Sequence, residues 1–208
     1  MLLPRLIALF VVCVALTSCT SGPGAPDDGP YMAAIEQRRA DMDALFKSAN
    51  SPLPPEKRAS FTGLPYYPID SMYRVPARLE VNSVDRATVL ELPQSHTTEK
   101  RRVRRIGVLH FSLPSAGGDE MTLTAFVEVE SPDMNRLFVP FTDATSNNET
   151  YGGGRYLELD RTPTGLYDLD FNRAYHPTCV FNPDYLCPVP PRENRLMPAI
   201  RAGEKLTK

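Results

Sequence analysis

The sequence predicts a mainly β, α+β domain: an antiparallel β-sandwich or partly closed barrel, one amphipathic helix before it and an ordered, irregular, proline-rich wrap after it. Three observations lead there. Residues 120–130, EMTLTAFVEVE, alternate strictly, with Met121, Leu123, Ala125, Val127 and Val129 on one face, the period-two signature of a half-buried strand. Further alternating stretches follow one another closely with short turns between them, the spacing of an all-β sheet. After Tyr175, Pro177, Pro183, Pro188, Pro190, Pro191 and Pro198 prevent regular pairing, because proline offers no amide donor. That tail still contains Val180, Phe181, Tyr185, Leu186, Leu196, Met197 and Ile200. It is too apolar to be free and is expected to lie across the sheet.

Taken in order, Gly29-Pro30 opens the helix, with proline where no amide partner is needed. Ile35, Met42, Leu45, Phe46 and Ala49 recur at helical spacing, and Glu36, Gln37, Arg38, Arg39, Asp41 and Asp43 fill the polar remainder. Ser51-Pro52 and Pro54-Pro55 stop it. Strands are expected at 73–81, 87–92, 101–106, 107–113, 120–130, 136–141, 155–160 and 166–171, with Ala116-Gly117-Gly118-Asp119 turning a hairpin. No internal repeat is visible, and residues 31–208 suffice for one domain with a real core.

The first residues read as an export signal. Arg5 precedes an apolar run from Leu6 to Leu16, too short to span a bilayer. Leu16-Thr17-Ser18-Cys19 resembles a bacterial lipobox, in which Cys19 becomes the acylated first residue; an ordinary cleaved signal is the alternative. Residues 19–30 then form a Gly/Pro-rich tether. The expected place is the cell envelope, lipid-anchored, on the periplasmic face of the outer membrane in a two-membraned cell. The chain has 23 basic residues, Arg5 among them, and 25 acidic ones, so losing the signal leaves a mildly acidic protein. Nucleic acid is not indicated as a partner.

The segment 168–194, DLDFNRAYHPTCVFNPDYLCPVPPREN, is the densest in chemistry. With Cys13 in the signal and Cys19 lipidated, Cys179 and Cys187 remain. In an exported chain they most often pair; a metal site with His176 is the weaker alternative, since a tetrahedral site wants four ligands.

Asp143, Glu149, Tyr151, Arg155, Asp170, Asn172, Arg173 and Tyr175 are the other candidates. Two readings stay open. In one, Asp170 forms a buried ion pair with Arg155 or Arg173. In the other the set lines a polar and aromatic cleft: arginines grip a carboxylate or phosphate, tyrosines hold an apolar or sugar-like body, and Gly152-Gly153-Gly154 lets backbone amides approach. Glu149 or Asp170 would serve as acid/base if the protein were a hydrolase. A non-catalytic envelope scaffold is the third possibility. No G-x-S-x-G, P-loop, dinucleotide fingerprint or H-E-x-x-H is present, and no cofactor is implied. Lys100-Arg101-Arg102-Val103-Arg104-Arg105 reads as a charged edge strand, with attraction to anionic headgroups or envelope polymers as its alternative.

Several stretches together resemble a known family. They are Ser51-Pro52-Leu53, Phe61-x-Gly63-Leu64-x-Tyr66-Tyr67, Phe138-Val139-Pro140-Phe141-x-Asp143-x-Thr145 and Glu149-Thr150-Tyr151-Gly152-Gly153-Gly154-Arg155-Tyr156-Leu157. Asp170-Phe171-Asn172-Arg173-Ala174-Tyr175, Cys187-Pro188-x-Pro190-Pro191-x-Glu193-Asn194-Arg195-Leu196 and Ala202-Gly203-Glu204-Lys205 continue it. The chain resembles the domain of unknown function family 1684 (DUF1684) over 31–205. The resemblance implies no activity. His176 departs from it, standing where the family pattern has asparagine, as does the lack of glycine near Ser146-Asn147.

Overall fold

The computed structural model describes residues 28–81, 88–131 and 133–207. The signal, Cys13, Cys19 and most of the tether lie outside the described residues, as does Ala87. Helix α1 runs Gly29–Lys47 with Pro30 in its first turn, and a short α2 spans Pro55–Arg58. Seven strands follow: β1 Arg74–Glu80, β2 Val89–Pro93, β3 Lys100–Ser112, β4 Glu120–Glu128, β5 Arg136–Phe141, β6 Arg155–Asp160 and β7 Leu166–Asp170. They form one antiparallel sheet in the order β6-β5-β4-β3-β1-β7, with β2 beside the first half of β3. The sheet curls into a nearly closed barrel. Its two end strands approach each other, so that Leu159 and Asp160 of β6 share a cavity wall with Tyr167 and Asp168 of β7.

The expected fold class is the one observed, with local corrections. The stretches 101–106 and 107–113 are a single strand, whose register shifts between Arg105 and Gly107. That bulge lets β3 pair first with β2 and then with β1. A side chain at Gly107 would meet the Glu80 carbonyl, so the crossing needs glycine. The arginine-rich run is therefore not an edge. It lies inside the sheet between β2 and β4, and Lys100 and Arg102 face Glu91 and Glu130 at 3.1 and 3.5 Å.

Strand β4 is buried on both faces, not one. Leu123, Ala125 and Val127 join the main core, while Phe126 packs on the outer side with Leu92, Val103, Phe138 and Tyr156. Burying each such large side chain contributes roughly 1.5–3 kcal/mol. On α1 the apolar stripe is narrower than expected: Ile35 and Phe46 are buried, Leu45 is 41% exposed, and Ala49 lies beyond the helix end.

The wrap after Tyr175 covers that outer apolar face. Val189 donates to the Pro93 carbonyl at 2.8 Å and Ser95 to the Cys187 carbonyl at 2.9 Å. Cys179 and Cys187 are disulfide-bonded, their Cα atoms 6.1 Å apart, and both sit in the outer cluster. Further on, Asn194 enters the sheet itself. Strands β4 and β5 share only the Phe126–Phe138 register pair, and Asn194 fills the opening between them. Its amide donates to the Thr124 and Pro140 carbonyls at 2.9 and 2.7 Å and accepts from the Thr124 amide at 2.7 Å.

Candidate functional site

The expected cleft residues do not meet in one place. Arg155 and Asp143 are a buried pair, 2.8 Å apart with side chains 1% exposed. The guanidinium also donates to the carbonyls of Ile200, Ala202 and Glu204. Both its terminal nitrogens are thus occupied, tying β6 to the chain's last residues. An ion pair of the expected kind exists, but its acid is Asp143 and not Asp170. Asp143 in turn accepts from the Thr145 amide at 2.6 Å and shapes the turn 143–150. Glu149 lies elsewhere, gripped side-on by Arg201 at 2.8–3.1 Å and touched by the Tyr67 hydroxyl at 3.2 Å.

Asp170 caps the 3-10 turn Phe171–Arg173, accepting from the Asn172 amide at 2.9 Å, and takes the Tyr31 hydroxyl at 3.0 Å. Asn172 donates to the Tyr31 oxygen and the Asp70 carbonyl, both at 2.8 Å. This knot fixes the start of α1 against the end of β7. The triple glycine closes on protein atoms: at Gly154, with φ +91°, an added Cβ would strike the Phe141 carbonyl.

His176, 4% exposed, belongs to another buried group. Its Nε2 accepts from the Tyr151 amide at 3.2 Å, which leaves the proton on Nδ1, 3.5 Å from Glu204 Oε2. The Glu204 carboxylate also takes the His176 amide at 2.7 Å. With the cysteines bonded to each other, the metal alternative at Cys179, Cys187 and His176 loses its thiolates. Among the described residues no group of three or more His, Cys, Asp or Glu is placed to hold a metal.

What the structure does bring together is Asn172, Arg173 and Tyr175, around a cavity of about 330 Å³ between α1 and the sheet. Residues that the sequence reading missed complete it: Arg38 and Arg39 from α1, Tyr66, Arg136, Glu158 and Glu204. A signal for two of them existed. Ile35, Arg38, Arg39 and Met42 fall at i, i+3, i+4 and i+7, so the arginines share the face of the apolar stripe and are not on its solvated back.

The carboxylates here are engaged. Glu158 receives Arg136 at 3.1 Å and the Tyr175 hydroxyl at 2.8 Å; burial, then Glu158, raises the Tyr175 pKa well above its ordinary value. Arg38 and Arg173 differ. Each lines this cavity and two adjoining ones, toward the β6–β7 seam and toward the start of α1. Neither has a hydrogen-bond or ion-pair partner among the described residues.

The fold and site thus define a nearly closed antiparallel β-domain with an arginine-rich cavity under its N-terminal helix. The chain belongs to the family described as "Protein of unknown function (DUF1684)", whose profile matches residues 59–205. It is similar to an uncharacterized protein from the rrnAC0354 locus of Haloarcula marismortui, solved in solution by NMR. The TM-score is 0.64 at 33% identity, covering 85% of this chain and 95% of that one. No protein with a curated description matches.

Proposed function

We propose that this protein binds a small anionic ligand in the cavity between α1 and the β6–β7 seam, held at the cell envelope by a lipid on Cys19. The observation behind this reading is the pair Arg38 and Arg173, two guanidiniums at the junction of three cavities and without a counter-ion among the described residues. Arg38 is half-buried and Arg173 exposed, so an entering anion meets two guanidiniums without first displacing a carboxylate. The planar guanidinium fork suits carboxylate or phosphate above other anions. Tyr66 and Tyr175 supply the aromatic wall that orients a small ligand.

Binding without turnover is favoured by the state of the carboxylates. On this wall Glu158 is held by Arg136 and Tyr175, and Glu204 by His176. Glu149 lies outside the cavity, and Arg155 offers its donors to backbone carbonyls. Asp170 lines an adjoining cavity with Arg38 and Arg173 but accepts from the Tyr31 hydroxyl and the Asn172 amide, so a hydrolase built on Glu149 or Asp170 has its acid/base already engaged. The envelope placement rests on the apolar run 6–16 and Leu16-Thr17-Ser18-Cys19.

Calorimetric titration with inorganic phosphate and with butyrate tests the clamp. Arg38→Ala with Arg173→Ala should weaken binding by at least ~10-fold, the scale of lost charge-assisted hydrogen bonds, with the melting transition unchanged. Equal affinity in that double variant overturns the assignment. Radiolabelled palmitate incorporation, lost in Cys19→Ser, tests the anchor.

A further inference from the structure

We infer that the ligand is a dianion whose two acidic groups sit apart, one at the Arg38–Arg173 junction and the second at Arg39; this rests on the anion-binding reading above. Arg39 lines the first of the three cavities and not the two adjoining ones, whereas Arg38 and Arg173 line all three. The two cationic positions are therefore distinct.

The Arg39 guanidinium lies over the Tyr66 ring, 4.4 Å from its centre. Its Nε and Nη2 are closed off from water and have no acceptor among the described residues. Those two nitrogens form the side-on fork that grips a carboxylate with parallel hydrogen bonds. Elsewhere in the protein the same fork is filled: Arg201 presents Nε and Nη2 to Glu149 at 3.0 and 2.8 Å. At Arg39 it stands empty. Burial lowers the Arg39 pKa from its ordinary value, as it does for a cation short of compensation. Arg39 lines the cavity, and a turn of its terminal torsions would offer the fork to a ligand there.

Charge balance points the same way. Of the cavity's four arginines, Arg136 is paired with Asp133, Glu158 and Asp160, whereas Arg38, Arg39 and Arg173 have no ion-pair partner among the described residues. A monoanion answers one of the two cationic positions; a dianion answers both. The remaining wall is Ile35, Met42, Tyr66, Asn172, Ala174 and Tyr175; the Asn172 amide donates to the Asp70 carbonyl and the Tyr175 hydroxyl to Glu158, so the span joining the two acidic groups meets mainly apolar surface.

The experiment is calorimetric titration of the exported protein with butyrate, glutarate, pimelate and inorganic phosphate, in the native chain and in Arg39→Gln. One of the two dicarboxylates should bind at least ~10-fold tighter than butyrate. Arg39→Gln should remove that advantage, weakening the preferred dicarboxylate at least ~10-fold and butyrate by less. Arg39→Lys, which keeps the charge and drops the fork, should keep part of it and serves in place of Arg39→Gln if that variant does not melt cooperatively. Equal affinity for monoacids and diacids, still sensitive to Arg38 and Arg173, overturns the dianion and leaves the anion reading standing. Phosphate binding tighter than either diacid overturns it too, because one compact group then suffices. Failure of all four probes removes the anion reading and this inference together.

Discussion

Arg155 Nη2 lies 2.8 Å from Asp143 Oδ2, with both side chains 1% exposed, and the same guanidinium collects carbonyls from Ile200, Ala202 and Glu204. An ion so deeply buried tolerates no loss of its partner, because the remaining charge has no water to turn to. Asp143→Asn is therefore expected to cost about 3–5 kcal/mol, read as a shift in the urea midpoint. Arg155→Met should be no milder, since it leaves the three carbonyls unpaired as well as the acid. A loss below ~1 kcal/mol in Asp143→Asn would mean that water reaches the pair and that it does not hold the C-terminal segment down.

Asn194 makes a second prediction about the wrap. Fully buried between β4 and β5, it replaces ladder hydrogen bonds where the two strands diverge. Asn194→Leu keeps the branching at Cγ, removes the amide, and strands the Thr124 amide with two carbonyls. Each unmet buried group costs about 1–3 kcal/mol, so the variant should lose at least ~3 kcal/mol and exchange the Thr124 amide proton faster. Slow exchange at Thr124 in the variant would show that β4 and β5 close up without the asparagine.

These residues show what was legible in the sequence. The strands were, because alternation at 120–130 and the short stretches rich in apolar and aromatic residues at 136–141 and 155–160 are local signals, and these three stretches fall on β4, β5 and β6. The wrap was legible through its prolines. The site was not. Arg155 and Arg173 look alike in sequence, and only the fold decides that one is sealed against backbone carbonyls and the other faces an open cavity. Asp143 and Asp170 exchange roles for the same reason: which acid meets Arg155 depends on how the turn 143–150 is laid across the barrel. Arg38 and Arg39 went unread because charged residues on a helix are ordinarily solvated, although their spacing from Ile35 and Met42 placed them on the packed face. The internal place of Lys100–Arg105 was hidden as well, because strand order depends on contacts far apart in sequence.

The disulfide offers a third prediction. It closes a loop of separation 8 over the outer apolar cluster. In the chain-entropy account, cross-linking so short a loop stabilises by roughly 2–3 kcal/mol through the unfolded state. Cys179→Ser with Cys187→Ser should lower the urea midpoint by that amount, and reductant should do the same to the native chain and nothing further to the variant. Equal stability with and without reductant would mean that the packing of Leu92, Phe126 and Phe138 holds the wrap unaided.

Alkaline pH provides the last prediction. Tyr67 is 6% exposed and its hydroxyl donates to Glu149 at 3.2 Å. Burial first, then the Glu149 carboxylate, pushes its pKa up to about 12, against ~10 for a tyrosine in an unfolded chain. Tyr31, Tyr66, Tyr156 and Tyr175 are displaced in the same direction, each chiefly by burial. A tyrosine is neutral while it keeps its proton, so a raised native pKa means that the folded state holds the proton more tightly. The stability so gained is complete below pH ~10. Above that the unfolded chain releases protons that the native chain retains, and stability falls with each step toward pH 12. The urea midpoint should be level near neutrality and slope downward from pH ~10, with Tyr67→Phe reducing the slope. In absorbance titration the part of the tyrosinate signal that belongs to these five tyrosines should rise only together with unfolding. A single smooth rise centred near pH 10 that accounts for all nine tyrosines in the still-folded protein would show these hydroxyls open to solvent and would sink the account.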